Sequence, residues 1–153
     1  MQAHDKHPPS GHYLGLLAEL AIDFVVMYFV MYTMIATVQH LRLNLNNVYM
    51  TLMMVAPMAV VMMVFMRSMF PNRRANLVAV AVAAAVFVAS FAAMRTQAGI
   101  GDREFLRSMI PHHSGAILMC QEAQITDPRI VALCQEIVKS QTEEIARMEA
   151  MLQ

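Results

Sequence analysis

Between Phe105 and Cys120 the sequence reads FLRSMIPHHSGAILMC, and this stretch concentrates side chains that bind soft ions. Met109 and His113 are four residues apart, so on a helix they share a face. Cys120 stands two turns beyond His113 on the same side, and His112 and Met119 share the flanking side. Thioether, imidazole and thiol in one strip favour Cu(I), with zinc as the alternative. Each residue also has a plain structural use. A lone histidine on an apolar helix is commonly a core residue, and methionine commonly fills irregular gaps. Cys120 and Cys134, outside the cytoplasm, are as well suited to a disulfide as to a metal.

The strip needs a partner, and the following residues supply one. ITDP breaks the first helix, and Asp127 and Pro128 suit the cap and first position of a second helix running to about Leu152. Folding the pair at about residues 125–127 sets Cys134 opposite Met119 and Cys120. It sets Gln141 and Glu144 opposite His112 and His113, and Met148 opposite Phe105 and Met109, with Met151 beyond. Glu144 and Gln141 then suit orientation of a histidine from behind, or simple exposure. Ile130, Leu133, Ile137, Ile145, Met148 and Leu152 keep a helical spacing along the second helix.

Everything ahead of this hairpin is apolar. The chain is 58% hydrophobic and 14% charged, well below the roughly one-quarter charged residues of a soluble domain. Three runs are long enough to cross a bilayer, at about 14–38, 48–66 and 75–94. Residues 1–13 form a tail with His4, His7 and His12, 95–101 a linker, and 102–153 the hairpin. The connection after the second run carries Arg67, Arg73 and Arg74, and the one before it only Arg42. This places the N-terminus in the cytoplasm and the hairpin outside. Pro57 is expected to kink the second run. In the third, Ala81, Ala85, Ala89 and Ala93 recur every four residues, either as a close-packing seam or as filler.

The expected fold is therefore all-α: three transmembrane helices, then an extracytoplasmic two-helix hairpin. A hairpin this small buries little core alone, so it is expected to pack on a second copy or on the membrane part. The first run places Glu19, Asp23, Met27, Met31 and Met34 on one face. The second repeats Met50, Met54, Met58, Met62 and Met66 every four residues. Intramembrane ionisable groups suggest function, so Asp23, Met27, Met31, Met54, Met58 and Met62 mark a possible Cu(I) path. The alternative is methionine as packing.

Zero net charge gives no basic field for nucleic acid. No Ser/His/Asp arrangement, phosphate-cradling glycine loop or His-Glu-x-x-His occurs, and the Glu-x-x-His pairs of di-iron bundles are absent. The sequence reads as a binding protein, not an enzyme. Two other readings stand beside metal binding: a structural or sensory membrane subunit whose tail binds a partner protein, and Cu(I) translocation.

The run from Phe105 to Met119, with the tail DPRIVALCQEIVKSQTEEIARMEAML, resembles the ferritin-like domain-of-unknown-function family 305 over about residues 100–153. That family includes bacterial periplasmic copper-binding proteins. The resemblance implies a helical bundle, an extracytoplasmic address at a bacterial inner membrane, and copper held by methionine and histidine. By position its ligands are Met109, His112, His113, Met119, Met148 and Met151. Handover of Cu(I), where that is the role, calls for a copper-delivery partner protein, which the sequence does not identify. Typical members carry two such hairpins in one chain. This chain has one, so the expectation is a homodimer or higher homo-oligomer that completes a four-helix bundle.

Overall fold

The computed structural model describes residues 9–153, with side chains from Gly11 onward; the tail before Pro9, with His4 and His7, lies outside them. The described chain holds five α-helices and no strand: α1 Pro9–Val30, α2 Leu45–Phe65, α3 Arg73–Thr96, α4 Asp102–Glu122 and α5 Pro128–Leu152. Three segments are long and apolar enough to cross a membrane: Gly11–Met34, Leu45–Phe65 and Arg73–Thr96. The first ends earlier than its hydropathy suggests. The α-helix stops at Val30, a 3₁₀ turn covers Met31–Met34, and a second covers Val38–His40. Apolar content cannot mark this stop, because Ile35, Ala36 and Val38 continue the run while the backbone turns extended.

The residues form two compact units. One takes in the described residues up to 28 together with 49–96; the other contains residues 29–48 and 97–153. In the first, Leu16, Met63 and Phe70 form a buried cluster, with Tyr13 against Phe70. The Tyr13 hydroxyl donates to Asn76 Oδ1 at 2.7 Å, and Asn72 Oδ1 accepts from the Arg74 and Ala75 amides to cap α3. α2 runs through Pro57 without a break. Of α3, Ala83 and Ser90 are buried, while Ala81, Ala85 and Ala89 are exposed.

The second unit is the α4–α5 hairpin with the first connection folded onto α4. Its core is Ile110, Ile117, Ile145 and Met148, with Ala36, Leu106, Met109, Val138 and Leu152 packed against it. The connection is built by its own hydrogen bonds. The Tyr32 hydroxyl donates to the Arg42 carbonyl at 2.8 Å, and buried Asn44 donates to both that carbonyl and the Tyr32 oxygen. Asn44 Oδ1 also accepts from the Asn47 amide, which caps α2. At the start of α4 the cap position belongs to Gly101, and Asp102 is already helical, where the helix dipole favours its charge. Asp127 caps α5 by accepting from the Arg129 amide, with Pro128 at the first position. The Arg129 guanidinium first, and that amide bond second, hold the Asp127 carboxyl below its usual range. The apolar stripe of α5 is covered only over its second half. Ile145 and Met148 are buried, whereas Ile130 and Leu133 stay exposed, since the connection does not reach that end.

Candidate functional site

The register of the hairpin is fixed at its middle and at its tip. His113, nearly buried on α4, meets Glu144 of α5 with Nε2 2.7 Å from Oε2. Cys120 and Cys134 are joined as a disulfide at the tip. The helices run antiparallel, so one turn back on α4 and one turn on along α5 bring Met109 and Met148 into the same core cluster. Met109, His113, Glu144 and Met148 thus gather on the facing sides of α4 and α5. The other sequence candidates do not join them. His112 is exposed, and Met119 and Met151 are 55% and 70% exposed.

Both nitrogens of His113 face acceptors. Nδ1 lies 2.9 Å from the Met109 carbonyl, which can only accept, so Nδ1 donates. At 2.7 Å the Nε2–Oε2 contact is a hydrogen bond with one shared proton between the two atoms. Glu144 is held from three sides. The Ser140 hydroxyl donates to Oε1 at 2.9 Å, and Gln141 reaches Oε2 at 3.5 Å beside His113. The Ser140 bond first, and His113 second, hold the Glu144 carboxyl below its ordinary range.

Among the described residues no three His, Cys, Asp or Glu side chains converge. The disulfide also withdraws both thiolates. The soft donors on the facing sides of α4 and α5 are then the His113 imidazole and the Met109 and Met148 thioethers. That combination suits Cu(I).

Two residues beside His113 carry a contact that spacing does not show. Ser114, fully buried, accepts from the Ala36 amide at 2.8 Å and lies 2.8 Å from His40 Nδ1. At Gly115 an added Cβ would stand 3.3 Å from the Met34 carbonyl. Ser-Gly after His-His is thus where the first connection docks on α4. The signal was present as two small residues on a buried helix face, but nothing local names the segment that approaches them.

The model for the family described as a domain of unknown function (DUF305) matches residues 70–152. This chain belongs to that family. The match begins at Phe70 and takes in all of α3, so the DUF305 region extends further toward the N-terminus than the hairpin. An uncharacterised protein of Acanthamoeba polyphaga mimivirus is 38% identical over 114 residues, 73% of each chain. No solved structure matches.

Of the suggested membrane path, Asp23 and Met27 lie on α1 and Met54, Met58 and Met62 on α2. Met31 does not continue the α1 face, because it begins the 3₁₀ turn. Asp23 Oδ2 is buried with no hydrogen-bond partner among the described residues.

Proposed function

We propose that this DUF305 protein is a membrane-anchored, extracytoplasmic Cu(I)-binding protein that holds the ion for storage or handover. The observation that carries the reading is that Met109 and Met148 share one core cluster on the facing sides of α4 and α5, beside the His113–Glu144 contact that joins the same two helices. Met109 and Met148 would supply sulfur and His113 its Nε2, from which Glu144 would swing away, with the Met109 carbonyl at Nδ1 orienting the ring. Copper held this way would be a carried ion, bound without any bond to substrate. His112, Met119 and Met151 are exposed; in this reading they serve entry, transfer to a delivery partner, or a site shared with a second chain. The Cys120–Cys134 disulfide supports an address outside the cytoplasm, where such bonds persist. Exposed Ile130 and Leu133 support pairing of two hairpins into a four-helix bundle.

The test is anaerobic Cu(I) titration of the full chain against a competing chelator. The expected result is tight binding that weakens about 10–100-fold in Met109→Leu/Met148→Leu, with the helical signal unchanged. Equal binding by wild type and variant would reject these ligands. A second reading, Cu(I) translocation, is favoured by the unpartnered Asp23 oxygen inside α1. It requires uptake into vesicles that Asp23→Asn abolishes.

A further inference from the structure

The C-terminal unit has a polar cleft of about 470 Å³, lined by Gln39, Arg42, Arg103, Arg107 and Glu149 together with Leu152, the last residue of α5, and Gln153 after it. Arg103 and Arg107 are four apart on α4, so two like charges share one face, an arrangement that destabilises a helix without a counter-charge. Arg42 joins them from the first connection. Two carboxylate side chains answer these three guanidiniums. Glu149 lies 3.1 Å from Arg42, and Glu104 lies 2.9 Å from Arg107. No ion pair engages Arg103 among the described residues.

The cleft is also placed. Glu104, which holds Arg107, accepts through its other oxygen from the amide of Leu45, the first residue of α2. Asn46 and Gln97 exchange amide hydrogen bonds at 3.2 and 3.3 Å, joining the first turn of α2 to the residue that follows α3. Arg42 precedes α2 by three residues and Arg103 follows the end of α3 by seven, so chain connectivity alone keeps both near the headgroup level if those spans cross a bilayer. Arginine forks suit phosphate oxygens, and basic pockets at this level take anionic headgroups.

We propose that the cleft lined by Arg42, Arg103 and Arg107 is a phosphate site, taking the phosphate of an anionic phospholipid headgroup or a free phosphate ion. It stands apart from the copper reading and needs no metal. The two sources differ in what must be present. A headgroup arrives with the bilayer, and the room beyond a single phosphate suits its glycerol.

The test uses the full chain, disulfide intact, in nanodiscs of phosphatidylcholine with or without phosphatidylglycerol. Lipid retained after delipidation is counted by native mass spectrometry, and inorganic phosphate is titrated calorimetrically into the discs without phosphatidylglycerol. The Arg103→Gln/Arg107→Gln variant is compared, with thermal melts to show that both proteins fold. The expected result is selective retention of phosphatidylglycerol, reduced about tenfold or more in the variant, the equivalent of one charge-assisted hydrogen bond. Phosphate heat lost in the variant, without lipid selectivity, would support the same site for the free ion. Neither lipid selectivity nor phosphate heat in the wild type would overturn the proposal, as would equal values in the variant.

Discussion

Glu144 couples the hairpin to pH, and the sign follows from its environment. Its carboxyl is depressed in the folded chain, by Ser140 first and His113 second. A depressed carboxyl contributes stability that is fully present above its unfolded value, about 4.3. That contribution is lost as pH falls through the lower, folded value. The thermal midpoint of the hairpin is therefore expected to drop as pH is lowered past about 4, and Glu144→Gln should flatten that part of the profile. Circular dichroism melts across the acidic range would decide it; an unchanged profile in the variant would mean that other carboxyls carry the effect. Ser114 makes a different kind of contribution. Ser114→Ala leaves the Ala36 amide and His40 Nδ1 without their partner, at a cost of about 1–3 kcal/mol for a buried unsatisfied group. Hydrogen exchange at Ala36 should accelerate while exchange in the middle of α5 changes little. Uniform acceleration across the unit would show instead that the connection and the hairpin open together.

At the level of elements, the hairpin was largely legible and the first connection was not. The order of sulfur and imidazole residues on either side of ITDP fixed a register that the structure repeats: Cys120 with Cys134, His113 with Glu144, Met109 with Met148. Helical spacing, a cap at Asp127 and a proline after it are local signals, and local signals survive folding. Residues 31–44 lack them. Their apolar start reads as the end of a span, and the turns that replace it depend on Tyr32, Arg42 and Asn44 bonding to one another and on Ser114 far along the chain. The sequence also left Cys120 and Cys134 open between metal and disulfide, because spacing suits both. The bond that forms closes a short loop around the tip, beside a cleft of about 660 Å³ lined by Val131 and Val138. Closing a loop of roughly 15 residues is worth about 3 kcal/mol in the chain-entropy description. Cys120→Ser/Cys134→Ser should therefore lower the melting midpoint, and reductant should lower the wild type to the same value. If Met109 and His113 bind Cu(I) as proposed, their affinity should survive this change, since neither residue touches the bridge. Loss of binding would place the cysteines in the site.

For the whole molecule, the grouping of residues 29–48 with 97–153 carries a topological consequence. A chain with three crossings puts the connection after the first and the segment after the third on one side, and the second connection on the other. The docking of the first connection on α4 through Ser114 meets that requirement independently of any charge count. The charge count then chooses which side. Arg67, Arg73 and Arg74 on the second connection outnumber Arg42 on the first, which favours the outside address we propose for the hairpin; Arg95, Arg103 and Arg107 after the third span oppose that bias. The disulfide points the same way as the second connection, since a reducing cytoplasm would keep both thiols free. Single cysteines introduced by Val38→Cys, Met151→Cys and Arg73→Cys test both statements at once, because all three positions are exposed. An impermeant maleimide applied to intact cells should label the first two and spare the third. Labelling of position 73 alone would keep the three crossings and reverse the orientation, moving the hairpin and any copper it holds into the cytoplasm. Labelling of 38 without 151 would break the C-terminal unit itself, because no bilayer can pass between two parts of one core.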